Sequence, residues 1–303
     1  MRRRLLLLLP TLLGVVVLVF AFLHLVPGDP VEIMLGESAA PADVTALRQS
    51  LGLDRPLPEQ LLGFLVRAVR GDLGWSLAFR APVTEVIGAR WPATLELAGA
   101  AFVLALALAI PLGTIAAVHE GTLVDRAARL VSLIGVCVPS VWMGPLLILV
   151  FSMQLGWLPV SGRGGVAHLV LPAVTLALGM AGILVRLTRA SMREALRGDY
   201  VRTARAKGAS PWRVVVRHAL RNALLPVTTV AGIQAGALLA GAIVTETIFA
   251  WPGLGRLMIQ AIGARDYPLV QGCVLVIGAT YVLVNAITDV VLAALDPRLR
   301  DAA

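Results

Sequence analysis

The chain has 303 residues, of which 58% are hydrophobic and only 15% are charged. Soluble globular domains carry about 25% charged residues and roughly 45–50% apolar residues. The composition, with a mean hydropathy of +0.86, therefore excludes an ordinary soluble enzyme and indicates a membrane protein. The net charge is +8. Such an excess of basic residues can reflect nucleic-acid binding or the orientation of a membrane protein, and the location of these residues along the chain distinguishes the two explanations.

Six apolar stretches are long enough to cross a bilayer as helices, because about 20 residues rising about 1.5 Å each cover a hydrocarbon core of roughly 30 Å. In chain order the predicted spans are residues 5–26, 97–118, 130–155, 169–187, 224–245 and 269–292. Prolines inside them predict kinks at Pro111, Pro139, Pro145 and Pro172. The sequence thus predicts an all-α, polytopic membrane protein with six transmembrane helices.

The first stretch follows three arginines, as the apolar core of a secretory signal peptide would. Such a core has about 7–15 residues, whereas the stretch 5–26 has 22. We therefore expect residues 1–26 to form an N-terminal transmembrane helix that is not cleaved.

Residues 27–93 form a segment that is too long for a simple connection between spans. Asp43 can cap a short helix that ends near Gly52, and Pro58 can open a second helix, 59–70, which Gly71 stops. The second helix is amphipathic, which suits a membrane surface or the side of the bundle. Two interpretations stay open, a structural cap and a docking site for a partner protein.

The basic residues are concentrated in one connection, residues 186–221, which holds ten of them against two acids. This local excess of eight equals the net charge of the whole chain. Because basic loops are retained in the cytoplasm, we expect this connection, both termini and the tail 296–303 to be cytoplasmic. Segment 27–93 then faces the opposite side of the membrane. The positive charge of the connection 186–221 lies beside the bilayer, which argues against nucleic-acid binding.

Several kinds of chemistry lack candidate residues in this sequence. Cys137 and Cys273 both lie in apolar runs and are interpreted as small core residues. The four histidines are scattered without metal-ligand spacing, so no metal site is expected. Lys207 is the only lysine and has no Gly-x-x-x-x-Gly before it, so ATP would have to be bound by another subunit.

The basic connection has clear local signals for two helices. Asp199 can cap a helix over 200–207, and Gly208 supplies the positive φ that ends helices. Ser210 can cap the next helix, with Pro211 at its first position, running to about Asn222. Such a projecting element suits a contact with a partner protein, although a solvated loop that only sets topology would have the same composition.

These residues resemble the permease subunits of ATP-binding-cassette importers, in particular the dipeptide, oligopeptide and nickel permease family. The general importer pattern Glu-Ala-Ala, three residues, Gly is represented here by Arg202, Thr203, Ala204 and Gly208, so the Glu is absent. The stretch 200–208, Tyr-Val-Arg-Thr-Ala-Arg-Ala-Lys-Gly, is typical of the peptide branch. Further similar motifs lie at 27–30, 51–54, 70–74, 218–226, 246–249, 252–255, 265–268 and 296–298.

The resemblance implies the type I importer permease fold, with residues 94–295 as the permease domain and a coupling loop at about 190–222. It also implies a non-catalytic subunit of a prokaryotic inner-membrane complex that contains a second permease, two ATPases that bind ATP and Mg, and an extracytoplasmic solute-binding protein. The ATPase-coupling residues would be Arg202, Thr203, Ala204, Lys207, Gly208, Ala209, Ser210, Pro211 and Trp212. Short peptides are the expected substrates, with nickel, glutathione and an ATP-independent carrier mechanism as alternatives.

Small residues recur every four positions on the fifth predicted span, at Gly232, Gly236 and Ala240. Such a stripe favours close helix packing, against the second permease for example. A role in lining the pathway is the alternative, with Gln234 and Thr245 nearby.

Few carboxylates lie in or beside the predicted spans. Glu96 and Asp289 lie near span ends, and Glu246 is expected to start an outer loop. All three are interpreted as interfacial residues, because carboxylates within a bilayer are costly. A carrier coupled to protons would usually have more of them near the bilayer centre.

Overall fold

A computed structural model describes residues 13–14, 16–18, 20–21, 31, 40–50 and 54–295. Most of the first predicted span and all of the tail 296–303 lie outside the described residues. The all-α prediction is confirmed, apart from one two-stranded hairpin. The elements are α1 (Pro41–Ser50), α2 (Leu57–Val69), β1 (Trp75–Ser76), β2 (Ala81–Pro82), α3 (Val83–Val118), α4 (Leu123–Cys137), α5 (Ser140–Gln154), α6 (Val166–Arg197), α7 (Asp199–Ala206), α8 (Pro211–Ile248), α9 (Leu254–Gly263) and α10 (Tyr267–Leu295).

Among the described residues, four helices are long and apolar enough to cross a membrane, namely α3, α6, α8 and α10. The predicted span 130–155 is broken at the predicted kink near Pro139, where the chain bends by 108° between α4 and α5. The break lies at Val138, whose extended backbone (ψ 116°) precedes Pro139. Proline has no N–H to continue α4 and pushes the preceding residue out of the helical region.

The long helices extend beyond the predicted spans. α3 begins at Val83 and α6 ends at Arg197, well outside the apolar stretches 97–118 and 169–187. The predicted helix end near Asn222 is wrong, because α8 is one helix of 38 residues, with a π-helical stretch Val214–Leu220. Pro226 costs α8 one backbone hydrogen bond, a loss that membrane helices packed against neighbours tolerate.

The two short helices were predicted in the correct order, with one error. α1 begins at Pro41, so Asp43 lies in its first turn and is not its cap. α2 covers Leu57–Val69, close to the predicted range 59–70, and Gly71 follows it with a φ of +81°.

Contacts divide the described residues into two compact units, one within the ranges 1–93 and 252–282 and one within the ranges 94–251 and 283–303. The core of the first unit joins the hairpin region to α9 and the start of α10, around Leu73, Val83, Leu257 and Cys273. Cys273 is fully buried there, as predicted. At the edge of this core, the Ser76 hydroxyl donates to Asp266, which is also fully buried, over 2.6 Å.

The core of the second unit is built around α6, which packs against α4 and α8. Glycines allow the α4 and α6 backbones to approach closely: a Cβ added at Gly135 would lie 2.6 Å from the Leu178 carbonyl oxygen, and one at Gly182 would lie 2.5 Å from that of Ser132. Cys137 lies on the exposed side of α4. The prediction that it is a core residue is wrong, because the face of α4 that packs against α6 carries other small residues, such as Ser132 and Gly135.

Candidate functional site

The basic segment, defined here as residues 198–214, leaves the end of α6 and forms α7, a tight turn and the start of α8. The turn is a Schellman motif: the Gly208 N–H donates to the Arg205 carbonyl over 3.0 Å and the Ala209 N–H to the Ala204 carbonyl over 3.1 Å. Gly208 has φ +78°, as predicted, which suits a residue without Cβ. The turn therefore fixes the direction in which α8 leaves α7.

The predicted caps of this segment are correct in part. The residue before α7 is Gly198, so Asp199 is its first helical residue and not its cap. Ser210 does precede α8, with Pro211 at the first helical position, but its side chain makes no capping hydrogen bond. Proline at the first position already removes one unpaired donor.

One face of the basic segment is buried in the second unit. Val201 and Val214 are almost completely buried, Ala204 is 9% exposed, and these residues pack with Met192 of α6. The short side chain of Ala204 leaves room for this contact. The buried face therefore joins the basic segment to the end of α6.

The other face of the basic segment is exposed and carries most of the predicted coupling residues. Trp212 is 76% exposed and Tyr200 is 42% exposed. Ala209 is half-buried, whereas the remaining predicted residues are exposed, namely Arg202, Thr203, Lys207, Gly208, Ser210 and Pro211. A large exposed aromatic side chain among cations is a typical composition for a protein interface.

An ion-pair network links the start of α4 to α6. The Asp125 carboxylate, 1% exposed, is paired with Arg189, and Arg129 also lies 3.4 Å from it. Glu120 pairs with Arg193 in the same region. This network was not predicted, although two of its basic residues, Arg189 and Arg193, belong to the predicted basic connection 186–221.

The small-residue stripe does not share one environment. Gly232 packs against Thr288 of α10 so closely that any Cβ would overlap the threonine methyl group. Gly236 is buried, whereas Ala240 is exposed. Gln234 is half-buried and lines a cavity of about 280 Å³, which is partly open and is bordered by the α4–α5 bend, α6 and α8.

Two of the three predicted interfacial carboxylates are described. Glu96 is partly exposed and pairs with Arg163 over 2.5 Å. Glu246 does not start a loop: it lies within α8, is fully buried and accepts a hydrogen bond from Thr94 over 2.6 Å. α8 continues to Ile248, past the end of the apolar stretch, and this carries Glu246 into the interior. The side chain of Asp289 lies outside the described residues.

Metal ligands and nucleophiles do not cluster in the part of the chain that the structure describes. Within it, no three His, Cys, Asp or Glu side chains come together in a way that could hold a metal ion. The described residues combine an exposed aromatic and basic segment, two long helices joined to it, and a cavity beside those helices.

Two family models match the sequence and together cover nearly all of it. Residues 109–301 match the binding-protein-dependent transport system inner membrane component, and residues 1–98 match the N-terminal part of such membrane components.

Curated relatives match over 98% of this chain and 97% of their own length. The dipeptide transport system permease protein DppB of Escherichia coli K12 is 44% identical, and the di/tripeptide permease DppB of Pseudomonas aeruginosa is 45% identical. The glutathione transport system permease protein GsiC of Escherichia coli K12 is 44% identical.

Solved structures share the fold at low sequence identity. One chain of the MetNI methionine ABC transporter in an inward-facing form matches with a TM-score of 0.59 at 20% identity, covering 70% of this chain and 96% of that one. A chain of an amino acid ABC transporter matches with a TM-score of 0.50 at 17% identity, covering 71% of this chain and 94% of that one. These matches confirm the importer permease fold, and the family models with the curated relatives show that the chain belongs to the binding-protein-dependent transport system inner membrane components, the permeases of ATP-binding-cassette importers.

Proposed function

We propose that this chain is the membrane-spanning permease subunit of an ATP-driven importer of short peptides, and that the basic segment is its contact with an ATPase subunit. The observation that carries the proposal is the position of Trp212. This residue is 76% exposed and lies in the first turn of α8, which continues as one helix to Ile248. At about 1.5 Å per residue, 38 residues form a rod of roughly 57 Å.

A displacement of the basic segment would reach the spans by two routes. The first is α8 itself, since it continues from Trp212 into the apolar stretch without a break. The second is the contact of Val201, Ala204 and Val214 with Met192, which joins the same segment to α6. Because packed helices move as rigid bodies, ATPase closure against Trp212 would shift α6 and α8 together.

The charge of the segment supports the same assignment. Its exposed cations complement an acidic rim on a partner, while Trp212 would fill an apolar pocket there. By the positive-inside rule this surface and both chain termini are cytoplasmic. ATP and Mg would be bound by two ATPase subunits, so that this chain carries no catalytic step of its own. A second permease and an extracytoplasmic solute-binding protein would complete the importer.

Short peptides are favoured as substrates because the named relatives transport dipeptides, di- and tripeptides or glutathione, which is itself a short peptide. Glutathione is the second candidate, since its permease is as similar to this chain, at 44% identity, as the dipeptide permease of the same organism. Nickel transport and an ATP-independent carrier mechanism are the remaining alternatives.

The test is reconstitution of the complex isolated through a tag at the carboxyl end of this chain. Proteoliposomes should take up labelled Ala-Ala when ATP is supplied, and glutathione should be assayed in parallel. Uptake that collapses with the proton gradient and ignores ATP would contradict the proposal.

The contact surface is tested by Trp212→Ala. Loss of a central interface tryptophan commonly costs at least about 2 kcal/mol, so this variant should recover much less ATPase subunit during purification. The control is Val166→Ala, because Val166 is 80% exposed at the start of α6, far from the basic segment in the sequence. If both variants lost the ATPase subunit equally, replacing any exposed side chain would have this effect, and the basic segment would not be the contact surface.

A further inference from the structure

The cavity of the second unit is formed by the bend between α4 and α5. Pro139 lies at the bend, and Gly135 and Gly179 are among the residues that line the cavity. Its volume of about 280 Å³ lies just below the range of roughly 300–1,000 Å³ that is usual for ligand pockets. It would therefore hold a small solute, of the size of one or two amino-acid residues.

The cavity wall is neutral but not entirely apolar. None of its described lining residues is ionisable, and the polar side chains are Ser140, Thr175 and Gln234. Thr175 donates its hydroxyl hydrogen to the Leu171 carbonyl over 2.8 Å. Ser140 and Gln234 make no side-chain hydrogen bond to any described residue. Their donors and acceptors are therefore available to a solute.

A carboxamide carries both a donor and an acceptor, as a peptide bond does. Gln234 can therefore pair with the N–H and the C=O of a peptide backbone whatever the side chains are. A wall without charge favours a neutral amide over a metal ion, which would lose hydration without compensation. Because the cavity is partly open, the charged termini of a short peptide can stay outside it. The thioethers of Met143 and Met180 supply an adaptable surface for different side chains.

We infer that this cavity holds the backbone amide of a short peptide during its passage, and that Gln234 is the residue that recognises it. The inference rests on the proposed function, since it names a contact within the importer pathway. It also accounts for transport of peptides of different sequence, because the group that Gln234 reads is present in all of them.

The location is tested by thiol protection in the reconstituted complex. In a Cys137→Ser background, which removes the exposed native thiol, Gln234→Cys is labelled with a small methanethiosulfonate reagent, with and without Ala-Ala during ATP turnover. Ala-Ala should slow labelling of Gln234→Cys and of a second cavity variant, Ser140→Cys. The control is Ile233→Cys, next in the chain but 61% exposed and not part of the cavity wall, and its labelling should be unaffected.

The role is tested by Gln234→Leu, with Ile233→Leu as the control. Loss of two hydrogen bonds of ordinary net strength should reduce peptide uptake per ATP hydrolysed about tenfold in Gln234→Leu, whereas Ile233→Leu should keep the wild-type ratio. Thiols that Ala-Ala does not protect at both cavity positions, or normal uptake by Gln234→Leu, would overturn the inference. The proposed function would still stand if the wild type imports peptide with ATP. Absence of ATP-dependent import by the wild type would overturn the proposed function, and the inference with it.

Discussion

Arg189 of α6 donates two hydrogen bonds to the Asp125 carboxylate of α4, from Nε over 2.5 Å and from Nη2 over 2.9 Å. The Gly121 N–H donates to the same carboxylate over 3.0 Å. Such a bidentate pair fixes orientation as well as distance. It holds the first turn of α4 against the helix that continues into the basic segment.

Removing the charge of Asp125 should destabilise the second unit. Breaking one partner of a buried ion pair commonly costs about 3–5 kcal/mol, because the other charge stays buried and unpaired. Asp125→Asn should therefore lower the thermal unfolding midpoint of the purified chain in detergent, whereas Asp199→Asn, at a carboxylate that is 95% exposed, should not.

A double variant separates the pair from its surroundings. Asp125→Leu combined with Arg189→Met leaves no buried unpaired charge, since the remaining Arg129 is 51% exposed, and should unfold at a higher temperature than either single variant. Strictly additive losses would mean that the two side chains do not depend on each other.

Gly208 should be required for coupling because of its backbone conformation and not because of crowding. A Cβ added there would meet no atom within 4 Å, but φ is +78°, which costs other residues about 1–2 kcal/mol. Gly208→Val should open the Schellman turn and abolish peptide-stimulated ATP hydrolysis, with membrane insertion unchanged. Gly208→Asn should keep most of the stimulation, since Asn adopts this conformation more readily. Full stimulation in the Val variant would contradict the coupling role.

The features that could be predicted from the sequence depend on neighbouring residues. Gly208 and Gly71 follow the ends of helices, and Pro211 begins one. Each effect involves only one turn of backbone, so these roles were predicted correctly. Pro139 indicated a kink, but not that α4 and α5 would meet at 108°, because that angle depends on what packs around the bend.

The features that were missed depend on residues far apart in the chain. Asp125 and Arg189 are separated by 64 positions, and Ser76 and Asp266 by 190, so no local pattern joins them. The fifth predicted span ends at residue 245, before the end of α8 at Ile248. Hydropathy locates the apolar residues that can lie in a bilayer, and not the last hydrogen-bonded residue of a helix. The cavity beside Gln234 was not predictable, since it arises where a bend leaves space between helices.

Asp266 should hold the hairpin of the first unit in place. Its carboxylate accepts hydrogen bonds from the Ser76 hydroxyl over 2.6 Å and from the Ala78 N–H over 3.0 Å. Asp266→Ala leaves these donors without their acceptor, at about 1–3 kcal/mol each. Trypsin should then cleave after Arg80 faster in the purified protein, whereas Asp72→Ala, which removes one exposed hydrogen bond to Gly74, should change the rate little. Equal cleavage of the two variants would exclude Asp266 as the anchor.

Gly232 should be replaceable only if its neighbour on α10 is made smaller. A Cβ at this position would overlap the methyl carbon of Thr288, and overpacking of this kind costs about 1–3 kcal/mol. Gly232→Ala should therefore lower the thermal unfolding midpoint in detergent. Thr288→Ser removes that methyl group and keeps a hydroxyl that can donate to the Val284 carbonyl, as Thr288 does over 2.9 Å, so the double variant should recover most of the loss.

The control for this pair is Gly99→Ala on α3, where a Cβ meets no atom within 4 Å and alanine favours the helix by about 0.5–1 kcal/mol. It should leave the unfolding midpoint unchanged or raise it. If Gly232→Ala behaved as Gly99→Ala does, the small residue at 232 would not be needed for packing within the chain. The pathway role, or a contact with the second permease, would then become the better explanation of the stripe.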